Sequence, residues 1–227
     1  MRIIIDWNVA REFPGLRALA VLIENSRITT ENPELESLMV KAIEDVKSKY
    51  NIESLNDVPS IRAYRDFFWR IKLDPTKSRP SAEALIRRIL LGKPLLKINT
   101  FVDSLNITSI KSEVAISSFD VDKLVGDTIT IRRARAGEEF YGIGMNKPAM
   151  MRGYEIVLSD DNGLIAVYPH RDAERTKITE ETRRAILVFC GVPGVGMSML
   201  NRAINMAVDL IIKFCGGNAS PIEVGVR

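Results

Sequence analysis

Residues 154–168 constrain the fold more than any other stretch. Two β-prone runs, 154–158 and 164–168, flank Asp161-Asn162-Gly163, and Asn-Gly between such runs predicts a β-hairpin closed by a type I′ turn. A sheet is therefore required here, and it delivers the next segment to one edge. That segment, residues 167–176, holds the only histidine of the chain, His170, together with Arg171, Asp172, Glu174, Arg175 and Thr176. A charged loop held by a rigid sheet is a common place for binding and catalytic groups. Dense Arg/Asp/Glu clusters also pair internally, so a catalytic loop and a salt-bridged structural loop stand side by side.

The rest of the chain supplies helices and strands. Residues 3–5 read as a strand and 16–23 as a buried strand or a short helix. A helix is expected over 33–50 with Asn32 as cap, and another over 60–73, broken by Asp74-Pro75. A third starts at Ser81 as cap, with Glu83 in its first turn, and closes at Gly92. Asn99 or Thr100 caps a fourth, on which Asp103 and Asn106, three apart, share a face. That pair either pins neighbouring loops or lines a pocket. Residues 127–135 form a strand ending in Arg132-Arg133-Ala134-Arg135, before a turn at Gly137-Glu138. Thr179-Glu180-Glu181 reads as a short helical entry, 185–190 as a buried strand, and 199–215 as a helix stopped by Gly216-Gly217. The tail beyond is expected to be loose.

Composition excludes several classes. The most apolar span, 197–215, carries Arg202, Asp209 and Lys213, which argues against crossing a bilayer. Asp6 follows Ile5 at once, leaving no apolar region for a secretory signal. Cys190 and Cys215 both sit among apolar residues and make neither a disulfide framework nor a metal set. A reducing cytoplasm is expected, with no structural metal and no cofactor. The net charge of +3 hides a segment, 62–97, with ten Lys/Arg against three Asp/Glu. If folding gathers these on one side they suit a polyanion; otherwise they are solvated helix faces.

Residues 191–198, Gly-Val-Pro-Gly-Val-Gly-Met-Ser, match the phosphate-loop spacing except that Met197 stands where lysine is needed. A glycine-rich strand-to-helix turn is the preferred reading. The chain has no G-x-S-x-G elbow and no cysteine in a polar setting, so nucleophilic catalysis is unsupported. Hydrolysis by an activated water fits the loop: His170, Asp172 or Glu174 would hold the water, and Arg171, Arg175 or backbone amides would meet developing negative charge.

Five ordered blocks carry a resemblance: residues 79–88 (Arg-Pro-Ser-Ala-Glu-Ala-Leu-Ile-Arg-Arg), 98–106, 119–124 (Phe-Asp-Val-Asp-Lys-Leu), 132–138 and 171–182. Together they resemble the B3/B4 domain of the phenylalanyl-tRNA synthetase β subunit, and more closely its free-standing relatives, over roughly residues 60–190. The resemblance implies a compact α/β (α+β) domain with a mixed β-sheet and surrounding helices, spanning 61–227, with 1–60 as an N-terminal α/β extension packed on it. It implies hydrolysis of the ester of mischarged tRNA, without the synthetase core. Asn106, His170, Asp172 and Glu174 are then the candidate catalytic residues, and Asp103, Arg171, Arg175 and Thr176 the substrate-binding ones. Arg79, Arg87, Arg88, Arg132, Arg133 and Arg135 would contact the tRNA acceptor end. Leu105 stands where those domains tend to have threonine, and the loop lacks their glycine-rich approach, so editing of tyrosine does not follow. A non-catalytic tRNA-binding module and a hydrolase of a free amino-acid derivative are the alternatives.

Overall fold

A computed structural model describes residues 1–227. The chain runs β1 (Arg2–Ile5), α1 (Trp7–Glu12), β2 (Arg17–Glu24), α2 (Pro33–Lys49), α3 (Pro59–Arg70), α4 (Ser81–Leu90), α5 (Thr100–Ser112), β3 (Ala115–Asp120) and β4 (Thr128–Arg133). There follow β5 (Glu139–Phe140), β6 (Ala149–Met150), β7 (Ile156–Asp160), β8 (Gly163–Val167), β9 (Arg171–Asp172), β10 (Ala185–Gly191), α6 (Met197–Cys215), β11 (Asn218–Ile222) and β12 (Val224–Val226). A six-stranded mixed sheet has the order β12-β1-β4-β7-β8-β9, a four-stranded sheet the order β11-β2-β10-β3, and β5 pairs with β6 alone. The α/β class with a mixed sheet is thus present.

Local chemistry explains most element ends. Asn32 Oδ1 accepts from Glu34 N and Leu35 N to cap α2, with Pro33 at its first position. Asn99 Oδ1 does the same for α5 through Val102 N, and Gly216, at φ +67°, stops α6. Strand β10 is buried along its whole length between β2 and β3, which accounts for a continuous apolar run in place of alternation. The main core joins both sheets, with Ile129, Leu158, Leu187 and Phe189 inaccessible to water. Residues 1–60 are woven into this frame: β1 lies between β12 and β4, and β2 between β11 and β10.

Four local expectations change. The tail is ordered: β11 pairs antiparallel with β2 and β12 parallel with β1, so its order comes from distant backbone partners rather than its own pattern. Pro221, lacking an N–H, is tolerated because β11 is an edge strand. The hairpin exists, but Asp161 and Asn162 both keep negative φ and only Gly163 is positive, at +117°, so the turn is not type I′. Asp160 Oδ1 instead accepts from Asn162 N at 2.9 Å, fixing the turn through its side chain. Ser81 is the first residue of α4 rather than its cap, and its N–H reaches Pro169 O at 3.3 Å. Residues 179–182 form a turn closed by Thr182 N on Thr179 O, not a helical entry.

Candidate functional site

The charged loop begins at a fixed post. Tyr168 is fully buried and its hydroxyl donates to Arg17 O at 2.9 Å and Gly191 O at 2.8 Å. From there His170 N bonds Val167 O at 2.7 Å, and β9 runs along the sheet edge with Ala166 facing Asp172. Strand β9 also meets β3 of the smaller sheet, because Ser118 N donates to Asp172 Oδ2 at 3.0 Å. The loop therefore bridges the two sheets. A second loop is stitched along it: Ile143 N donates to Asp172 O at 2.9 Å and Glu174 N to Tyr141 O at 3.0 Å.

The side chains of this loop divide by what holds them. Asp172 points toward β3, and burial pushes its carboxyl up to about 6, opposed by hydrogen bonds from Ser118 N–H and the Ser117 side chain. Glu174 pairs with Lys177, and Arg175 with Asp160, whose other bonds secure the hairpin turn and Val125 N. Thr176 is fully buried, its hydroxyl without a partner. His170 and Arg171 differ. Both line a cavity of about 600 Å³ together with Lys77, Arg79, Arg87, Arg88 and Lys93, and both line a second, of about 310 Å³, walled mainly by apolar side chains. These two residues form the wall common to both.

Their chemistry follows from their bonds. His170 Nδ1 lies 2.9 Å from Arg79 O. A carbonyl only accepts, so in the neutral ring Nδ1 carries the proton and Nε2 keeps its lone pair. Desolvation by burial lowers the His170 pKa below its ordinary value; the bond to Arg79 O opposes this and the charge of Arg171 adds to it. The ring packs edge-on against Phe68, centroids 6.2 Å apart. Arg171 Nη1 donates to Ile143 O at 3.0 Å, leaving most of its donors unspent. Its aliphatic stem is seated against Gly142, where an added Cβ would lie 2.6 Å from Arg171 Cδ.

The basic rim has one buried organiser. Glu83, fully buried, accepts from Arg65 at 2.8 Å and Arg87 at 2.6 Å, with Arg79 at 4.0 Å. Much of the charge of residues 62–97 is therefore internally paired, Arg62 with Asp57 and Lys97 with Glu36 included. What remains around the cavity is still strongly positive. Arg132 and Arg133, by contrast, are held by Glu138 and by Glu12 and Tyr154 O, and the exposed Arg135 follows them away from this cavity.

Helix α5 carries the other expected residues. Asp103 is buried, accepts from Ile98 N at 3.1 Å, and has its carboxyl pKa raised by desolvation. It lines a separate cavity of about 210 Å³ against Leu35, Met39 and Val40 of α2, which shares no residue with the two at His170. Asn106 is half-buried and lines none of the three. Sequence reasoning passed over Ser117 and Ser118, whose roles come only from cross-sheet contacts, and Gly142, whose role comes from the close packing of the Arg171 stem. Glu83 was visible as a first-turn acid, but not as the anchor of three arginines.

A mixed sheet, an antiparallel sheet and a basic cavity adjoining an apolar one at a histidine and an arginine define an α/β domain equipped to hold an anionic ligand beside an apolar group. A family model described as the B3/4 domain matches residues 63–216. The chain belongs to the B3/4 domain family. It is 33% identical over 196 residues to a phenylalanine–tRNA ligase beta subunit of Fusobacterium nucleatum, covering 78% of this chain and 24% of that protein. It is 27% identical over 117 residues to the corresponding subunit of Solibacter usitatus, covering 52% and 15%. The chain thus spans about a quarter or less of these relatives. Its fold is similar to a crystal structure of an N-terminal fragment of the phenylalanyl-tRNA synthetase beta-subunit from Pyrococcus horikoshii, with TM-score 0.55 and 14% identity over all of this chain and 52% of that one. No helix is long and apolar enough to cross a membrane.

Proposed function

We propose that this chain hydrolyses the ester of mischarged tRNA in trans, acting in the cytoplasm where translation supplies that substrate. The reading rests on one observation above the others: His170, with a fixed tautomer and a bare Nε2, and Arg171, with unspent donors, form the wall between a basic cavity and an apolar one. The phosphates of the acceptor end lie over the basic rim, to which Lys77, Arg79, Arg87, Arg88 and Lys93 contribute. His170 Nε2 accepts a proton as water attacks the ester carbonyl carbon, and the Arg171 guanidinium meets the oxyanion. Collapse breaks the acyl–oxygen bond, the imidazolium returns its proton to the ribose oxygen, and free amino acid and tRNA leave. An aminoacyl ester is already labile, so positioning and charge stabilisation suffice without a covalent nucleophile. A second hydrolytic site of this kind supplies accuracy that binding differences alone cannot. Asp172 serves here as a positioning residue, tying β9 to β3.

The test is release of amino acid from a panel of mischarged tRNAs, comparing the wild-type chain with His170→Ala. Ester loss above the uncatalysed rate, lowered by about 10²-fold or more in the variant, is expected. Absence of turnover on every aminoacyl-tRNA overturns the reading, and salt-sensitive tRNA binding without turnover points to a binding module instead.

A further inference from the structure

The smaller cavity beside His170 and Arg171 has a composition of its own. Leu73, Phe140, Met145, Ala149, Met151 and Val167 form its walls. It opens into the smallest of the three apolar clusters, away from the main core between the sheets. One charged residue other than Arg171 reaches it, Glu155, and that carboxylate is committed. It is buried, and it accepts from Arg152 N at 3.0 Å, Gly153 N at 3.1 Å and Tyr154 N at 3.2 Å, which fixes the turn before β7. A charged side chain entering the cavity would lose its water and find no free counter-charge except at the mouth. An apolar one would find surface contact throughout. Two methionines give walls that adjust to shape, and about 310 Å³ lies at the small end of ligand cavities, room for one large side chain.

The approach is also built. A Cβ on Gly142 would lie 2.6 Å from Arg171 Cδ, 2.8 Å from Phe140 Cε1 and 3.0 Å from Met145 Sδ. The glycine therefore lets the guanidinium stem, an aromatic wall and a methionine wall close on one point. Whatever occupies the cavity lies directly against the Arg171 stem.

We infer that this cavity receives the side chain of the misattached amino acid, and that the esters hydrolysed are those of large apolar residues, in the size class of leucine, methionine and phenylalanine. The assignment rests on the deacylase reading above. Small side chains leave the walls unfilled, and each missing methylene in such a pocket costs on the order of tenfold or more. Acidic and polar ones find uncommitted partners only in Arg171, His170 and the Ser78 hydroxyl, and none on the apolar walls.

One tRNA charged in turn with alanine, serine, leucine, methionine and phenylalanine tests it, with initial rates corrected for uncatalysed loss. Leucyl, methionyl and phenylalanyl esters are expected to turn over at least about tenfold faster than alanyl and seryl ones. Met145→Trp and Ala149→Phe fill the cavity from two half-exposed positions, so either stands if the other fails to fold. Each is expected to lower the ratio of large to small ester rates by about tenfold. Fastest turnover of alanyl or seryl esters, or an unchanged ratio in both folded variants, overturns the pocket assignment and leaves the hydrolase intact. No turnover of any ester overturns the hydrolase reading and, with it, this substrate class.

Discussion

Helix α5 and the loop at His170 are the two polar regions that the sequence offers as halves of one site, and the structure treats them differently. On α5, Asp103 spends its carboxylate on Ile98 N–H within a cavity formed against α2. In the loop, Asp172, Glu174 and Arg175 are likewise spent, on Ser118, Lys177 and Asp160. His170 and Arg171 keep reactive atoms free. Density of polar residues thus marks where a fold is being fastened. Function is better sought in the few groups that the fastening leaves over.

The largest effect expected from this contrast is at His170. His170→Ala should lower the ester hydrolysis rate by about 10²-fold or more, the scale of a lost general base, as read by single-turnover assay. Gly142→Ala comes next. Its Cβ meets Arg171 and Phe140, so the guanidinium shifts and the rate should fall by about tenfold with the fold retained, measured by the same assay beside a thermal melt. The pair Arg88→Ala and Lys93→Ala should weaken tRNA binding without altering the saturated rate. The slope of log K against log salt should drop by about 1 for each phosphate that the variant no longer neutralises.

Asp172 sharpens the comparison through stability. Its carboxyl sits near 6 in the folded chain against an ordinary 3.8, so between those values the folded chain holds a proton the unfolded chain has released. Stability attributable to this group falls as pH rises through the window and stays reduced above it. Asp172→Asn should therefore raise stability at pH 7.5 by on the order of 2 kcal/mol, with the gain vanishing near pH 4, as followed by denaturant melts. Asn106→Ala is the smallest: hydrolysis should stay within about threefold of wild type. A loss as large as that at His170 would erase the distinction between the two regions.

Helices and buried strands were legible because periodicity and caps are local: Asn32, Asn99 and Gly216 act within a few residues of where they stand. The terminal strands were not, since residues 218–226 gain order only from β1 and β2, some two hundred residues away in sequence. The same division holds at the site. The loop 167–176 could be singled out from its crowding of charge, but not His170 and Arg171 within it. Which of ten neighbours stays free depends on Ser118, Asp160, Lys177 and Arg79 arriving from other elements, and no spacing within the loop encodes that. The basic segment was visible as charge, while Glu83, which sorts its arginines into paired and unpaired, was hidden by its ordinary place in a helix first turn.

The central claim is that neutral His170 acts as the base, and the pH dependence of kcat/KM on one mischarged tRNA tests it most directly. Burial lowers the His170 pKa, so the acid limb of the wild-type profile should have its midpoint below the ordinary histidine value of 6.5, and that limb should disappear in the residual activity of His170→Ala. A limb at or above 6.5, or one that persists unchanged in the variant, would contradict the account.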